Sequence, residues 1–154
     1  MLRRIITVAF GYLAATGCGL AFLPLAAFAD PGMRDAGFEA AMAGVFVWFD
    51  SAASGEPLAG LGFVLWAVGM AAVAAPLAVT ALIGEAAGVR GWLWNAGGCA
   101  VLAAASPWIL RAARGLARLH QANPLEQRIA LLFFLTGLVT GSVYWAIAGR
   151  SRTP

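Results

Sequence analysis

Four apolar runs, each about 20 residues or longer and free of charged side chains, occupy most of this 154-residue chain. They cover Ile5–Ala29, Leu58–Gly84, Gly91–Leu110 and Ile129–Gly149. A bilayer core is about 30 Å thick, and a helix of about 20 apolar residues crosses it. In lipid the backbone must satisfy its own hydrogen bonds, so an apolar run of this length reads as a helix. The expected fold is an all-α integral membrane four-helix bundle, one membrane domain over residues 1–154. Its expected spans are about residues 5–29, 58–84, 91–110 and 129–149.

Charged residues make up 11% of the chain, against about 25% in soluble domains, which leaves little mass outside the lipid. All ten basic residues are Arg. Together with the many Ala residues, this points to a bacterial source and to the inner membrane. The net charge of +3 does not imply nucleic acid, because the Arg residues flank the apolar runs, where lipid headgroups are the natural partners.

Two features of the N-terminus imitate processing signals. Arg3-Arg4, an apolar run and Ala27-Phe28-Ala29 follow the order of a secretory signal. A signal's apolar region spans only about 7–15 residues, however, so the longer run here is expected to be an uncleaved anchor. Ala15-Thr16-Gly17-Cys18 imitates a lipobox, but the apolar run continues past it. Cys18 is therefore expected to be a small packing residue. Cys18 and Cys99, both inside runs, form neither a disulfide framework nor a metal-ligand spacing.

Between the first two runs, Asp30, Asp35, Glu39, Asp50 and Glu56 face Arg34 alone. Phe38, Ala41, Met42, Val45, Phe46 and Phe49 fall at helical spacing on one face. Residues 38–49 span only about 18 Å as a helix, too short to cross. An interfacial or re-entrant helix is expected there, with Trp48 at headgroup depth. Pro57 opens the second run, and Pro76 is expected to kink it. Trp92 and Trp94 at one end of the third run, and Trp108 near the other, suit two aromatic belts. Arg111, Arg114 and Arg118 share one face of a basic amphipathic segment, 111–121, expected to lie on the membrane surface. Asn123-Pro124-Leu125-Glu126 reads as an N-cap, a Pro at the first helical position and a capping-box acid.

Orientation is weakly encoded. With four spans, Arg3, Arg4, Arg90, Arg150 and Arg152 share one side, and Arg34, Arg111, Arg114, Arg118 and Arg128 the other. The positive-inside rule is tied. Both termini are expected in the cytoplasm, because the first helix usually dominates. A five-span alternative gives six Arg against four.

No Asp, Glu, Lys, Arg or His lies inside a run. Intramembrane charge marks ion and proton pathways, so its absence argues against a pump. His120 is the sole histidine and reads as a solvated loop residue. Neither a nucleophile–base pair nor a phosphate loop occurs. No catalytic residue, cofactor or metal is expected. Glu85 and Arg90 are placed to pair with each other across a tight turn. Asn95 is the possible polar site, since an amide in lipid needs a partner. Gly137 and Gly141 form a GxxxG, flanked by Thr136 and Thr140, with further small residues at Gly11, Ala15, Gly97 and Gly98. Such faces let helices approach closely, either within the bundle or toward another subunit. Arg111, Arg114, Arg118, Arg128 and Arg150 are expected at lipid headgroups.

The ending Leu138-Val139-Thr140-Gly141-Ser142-Val143-Tyr144-Trp145-Ala146-Ile147-Ala148-Gly149-Arg150 resembles the close of small uncharacterised bacterial integral membrane proteins with about four spans. The opening from Leu2 to Leu13 is similar to their start. The resemblance implies that architecture and no activity.

The leading expectation is a non-catalytic membrane subunit that packs against itself or a larger complex, with the bilayer and other membrane subunits as partners. The alternative is a small transporter or channel for a neutral or apolar solute, which predicts a polar-lined cavity near Asn95, Ser106, Thr136, Thr140 and Tyr144. A lipid-modifying enzyme using Glu39, Asp50, Glu85, His120 or Glu126 is a third reading, weakened by their scatter over separate loops.

Overall fold

The computed structural model describes residues 2–35, 39, 42, 67, 69–89, 91–113 and 124–149. Among these, every element of regular structure is helical. Helix α1 is Leu2–Ala29. Helix α2, Ala75–Ala87, follows a π-turn over Met70–Ala74. Helix α3, Gly98–Ala113, follows a second π-turn over Leu93–Gly97. Helix α4, Pro124–Tyr144, runs into a third over Trp145–Gly149.

Among the described residues, three continuous helical stretches are long and apolar enough to cross a bilayer: Arg3–Ala29, Leu93–Ala113 and Glu126–Gly149. At 1.5 Å per residue they extend about 40, 32 and 36 Å, against a core of about 30 Å. The chain is therefore a helical membrane protein. Its outer surface matches that solvent, since Phe10, Leu13, Leu25, Phe28, Leu82 and Leu93 all stand exposed. Water would penalise this surface, whereas lipid does not.

Small residues set how the helices meet. The missing side chain of Gly11 faces Ala148 and Ile147, and that of Gly19 faces Thr140 and Val73. Gly69 faces Leu20, and Arg4 pairs with Glu85. Gly98 faces Thr80, while Gly84 faces the Trp94 ring. These pairings run in opposite chain directions, so α2 and α4 are antiparallel to α1 and α3. The α2–α3 contact joins positions 80 and 84 to 98 and 94, an i,i+4 row against an i,i+4 row.

Several expectations change. Helix α1 begins at Leu2 rather than near residue 5; the Arg3 carbonyl in its first turn accepts the Thr7 hydroxyl at 2.9 Å. The third span does not stop at Leu110. It carries Pro107 internally and continues to Ala113, which puts Arg111 in its last turn. A cation there complements the partial negative charge of a helix C-terminus. The basic segment thus starts as the end of the span. A π-turn over Met70–Ala74 lies directly before Pro76 and includes Ala72, whose carbonyl the Pro ring crowds. Cys18 is exposed on α1 and is not a packing residue. Helix α2 ends at Gly88, whose φ of 69° is the left-handed cap that glycine adopts without strain.

Helix α4 begins at Pro124, where the sequence placed it. Glu39 and Met42 are helical and exposed, but the remainder of the expected helix 38–49, including Trp48, lies outside the described residues. So do Pro57, the start of the second run, Arg90, residues 114–123 with Arg118 and His120, and Arg150 onward.

Candidate helix-packing site

Helix α4 meets the third span backbone to backbone. A Cβ built on Gly137 would lie 2.7 Å from the Cys99 carbonyl oxygen, 2.8 Å from the Ala100 Cα and 2.9 Å from the Ala103 Cβ. One turn on, Gly141 faces the Asn95 carbonyl and the Ala96 Cα, again at a separation no Cβ tolerates. Real Cβ atoms do not approach backbone that closely, so the seam needs hydrogen at both positions. Gly137 and Gly141 are the GxxxG of the sequence, and the structure places both inside this chain. The opposing surface is made of Ala96, Cys99, Ala100 and Ala103, all buried.

Thr136 and Thr140 are fully buried beside the glycines. Neither hydroxyl crosses to another helix. Thr136 donates to the Leu132 carbonyl and Thr140 to the Thr136 carbonyl, both at 2.8 Å. Ser106 donates to Ala103 at 2.7 Å, and Thr80 donates to Pro76 at 2.9 Å. A hydroxyl that bonds its own preceding turn adds no polar demand on its surroundings.

Asn95 follows the same rule. Its Nδ2 donates to the Gly91 carbonyl at 3.1 Å, the same carbonyl that its backbone N–H reaches at 3.3 Å. The amide donor is thus met four residues back along its own chain, just ahead of the π-turn. Thr16 is the exception, since its buried hydroxyl has no hydrogen-bond partner among the described residues.

The other sequence-selected small residues divide. Gly11 packs against α4's π-turn, Ala15 is fully buried, and Gly98 meets Thr80. Gly97 has nothing nearer than its own turn's Leu93 at 3.9 Å, and Gly17 faces open space.

Two bonds between helices come from tryptophans. Trp94 Nε1 donates to the Thr80 carbonyl at 3.2 Å, and Trp92 Nε1 to the Ser142 hydroxyl at 3.1 Å. Trp92 and Trp108 are exposed near opposite ends of the third span, whereas Trp94 turns inward to α2. Tyr12 of α1 donates to the Ala74 carbonyl at 3.1 Å, which fastens α1 to the start of α2.

Charges gather at the two ends of the helix array. At one end, Arg4 pairs with Glu85, which ties α2 across to α1; Arg90, the partner the sequence offered Glu85, lies outside the described residues. At the other end, Arg111 Nη2 lies 2.5 Å from Glu126 Oε1, and Arg128 Nη1 lies 2.9 Å from Asp30 Oδ1. Glu126 therefore braces α3 against α4. Two of the Arg residues expected at headgroups, Arg111 and Arg128, carry protein partners; Arg114, Arg118 and Arg150 lie outside the described residues. Asp30 also receives the backbone N–H groups of Met33 at 3.2 Å and Gly32 at 2.8 Å, capping a helical turn over residues 31–35. The Met33 bond is the main influence that lowers its pKa from the ordinary 3.8; Gly32 and Arg128 act the same way, against an opposing desolvation.

Among the described residues no group of three or more His, Cys, Asp or Glu side chains is placed to hold a metal ion. No family model, curated protein or solved structure matches the chain.

Nothing in the sequence pointed to the pairings Arg4–Glu85, Arg128–Asp30 or Arg111–Glu126. Each joins residues on different helices, and the only signal was that both members flank apolar runs.

Proposed function

We propose that this is a non-catalytic subunit of a bacterial inner membrane, built as four spans with both termini in the cytoplasm, which acts by lateral contact with other membrane subunits or with copies of itself. The observation that carries this reading is the closed seam between α4 and the third span. Its small residues abut backbone, and its hydroxyls and the Asn95 amide bond their own helices. A unit organised this way offers rigidity and shape at mid-depth rather than chemistry. Helix α2 runs antiparallel to α1, which suits four alternating spans if the apolar run upstream of Met70 continues to the bilayer edge.

The GxxxG is engaged internally, so any contact with another subunit falls on outward faces. On α1 these include Ile6, Phe10 and Phe28; on α3, Val101; on α4, Leu131 and Leu135.

The transport alternative has less support. Asn95 and Tyr144 border a void of about 20 Å³, room for about one water, and Tyr144 also lines a larger but almost wholly apolar cleft of about 660 Å³. Ser106, Thr136 and Thr140 border neither.

Extraction from native membranes in a mild detergent or polymer disc, followed by mass determination, tests the proposal. It expects a particle containing a second protein or further copies of the chain. A lone 15.9 kDa monomer in every extraction would contradict it.

A further inference from the structure

Near Tyr12, α1 and α2 are held together, but toward the Arg4 end they stand apart. The gap is a cleft of about 660 Å³ open to the side of the helix array. Its walls are Ile5, Val8 and Leu13 of α1 and Ala78, Ala81 and Leu82 of α2. Small side chains at Ala78 and Ala81 leave the room. The inner end is marked by Tyr12, whose hydroxyl already serves Ala74. The outer end carries two charged residues of the lining, Arg4 and Glu85, which pair across the mouth.

We infer that this cleft is a binding site for one zwitterionic phospholipid, with an acyl chain along Val8 and Ala81 and the headgroup at the Arg4–Glu85 pair. Three observations agree. The volume lies within the range of about 300–1,000 Å³ typical of ligand pockets. From Arg4 to Leu13 is nine residues, or about 13 Å of helix, close to half of a bilayer core of about 30 Å. One leaflet's chain therefore fits with its headgroup at the charged end. The pair itself presents a cation to a lipid phosphate and a carboxylate to a lipid ammonium. An anionic lipid satisfies only the first of these.

The inference concerns the isolated chain and is independent of the proposed subunit role.

Native mass spectrometry of the purified, delipidated protein tests it, with phosphatidylethanolamine or phosphatidylglycerol of matched chains added. The expected result is one tightly held phosphatidylethanolamine, preferred over phosphatidylglycerol. Ala81→Trp fills the cleft and should weaken that binding at least about tenfold, while Leu135→Trp on the outer face of α4 should not. Because Ala81→Trp can disturb folding, Glu85→Gln supplies an independent arm. It removes the acceptor for the ammonium, so phosphatidylethanolamine should lose its advantage over phosphatidylglycerol. Wild-type binding that prefers phosphatidylglycerol, no retained lipid, or a Glu85→Gln variant with unchanged preference would overturn the inference. Should tethered phosphatidylethanolamine be absent while a protein partner still co-purifies, the site fails and the subunit role stands.

Discussion

A side chain on Gly137 would press directly on the Cys99 carbonyl oxygen, so α4 and the third span meet backbone to backbone. Lipid tails are as apolar as a leucine side chain, and no hydrophobic force drives helices together in the bilayer. Close approach at small residues replaces that force. The predictions below follow from where this approach occurs and where charge gathers at its ends.

Gly137→Ala or Gly141→Ala should destabilise the fold by about 1–3 kcal/mol each, the usual range for overpacking a tight core. The neighbouring atoms are backbone, with one Ala Cβ, and cannot swing aside. Gly17→Ala should be nearly silent, because its missing side chain faces open space. Unfolding in mixed micelles with increasing sodium dodecyl sulfate gives these values. Equal effects at positions 17 and 141 would mean that the seam is not as tight as described.

Thr140→Val removes a hydroxyl that bonds its own helix and keeps the side chain's shape. Measured polar contacts in membrane helices average about 0.6 kcal/mol, and the loss should be no larger. The same assay reads it. A cost well above this would show that the hydroxyl serves another helix.

Asp30 gives the fold a dependence on acid. Its carboxylate is stabilised in the folded state, so its pKa falls below 3.8. A depressed carboxyl contributes stability that is complete above the unfolded value and is lost as pH falls through the folded one. Stability should be flat near neutrality and decline below about pH 4, the onset set by the unfolded carboxyl. Asp30→Asn should remove its share of that decline. The comparison is denaturation of both proteins across the acid range.

The ion pairs also assign sides. Arg4 and Glu85 mark one end of the array, while Asp30, Arg128, Arg111 and Glu126 mark the other. Single cysteines placed at Glu85 and at Asp30, in a chain lacking Cys18 and Cys99, should label from opposite faces of an intact membrane. A cysteine at Arg128 should follow Asp30. Labelling of positions 30 and 85 from the same face would refute the antiparallel order of α1 and α2.

Much of this architecture is legible in the residues themselves. Uncharged runs of spanning length dictate helices, because lipid leaves the backbone no other way to satisfy its hydrogen bonds. Pro124 marks the start of α4 because its ring has a preset φ and lacks an N–H that would be unpaired there anyway. The small residues at 137 and 141 signal a close contact, but spacing alone does not say with which helix. That choice rests on Cys99, Ala100 and Ala103, a chain distance of more than 30 residues away. Asn95 looked like a polar site because a side-chain amide must bond. Its actual partner is the Gly91 carbonyl, four residues back along its own chain. Arg111 and Arg128 read equally well as headgroup anchors, and only the fold brings Glu126 and Asp30 to them.

The most direct test of the central claim is photocrosslinking in the native membrane. A photoreactive residue would be placed in turn at Phe10, Phe28, Val101 and Leu131, all outward-facing. A chain that works by lateral contact should give a discrete protein adduct from at least one of these faces and only lipid adducts from the rest. Lipid adducts alone from all four positions, in membranes where the protein is at its natural level, would contradict it.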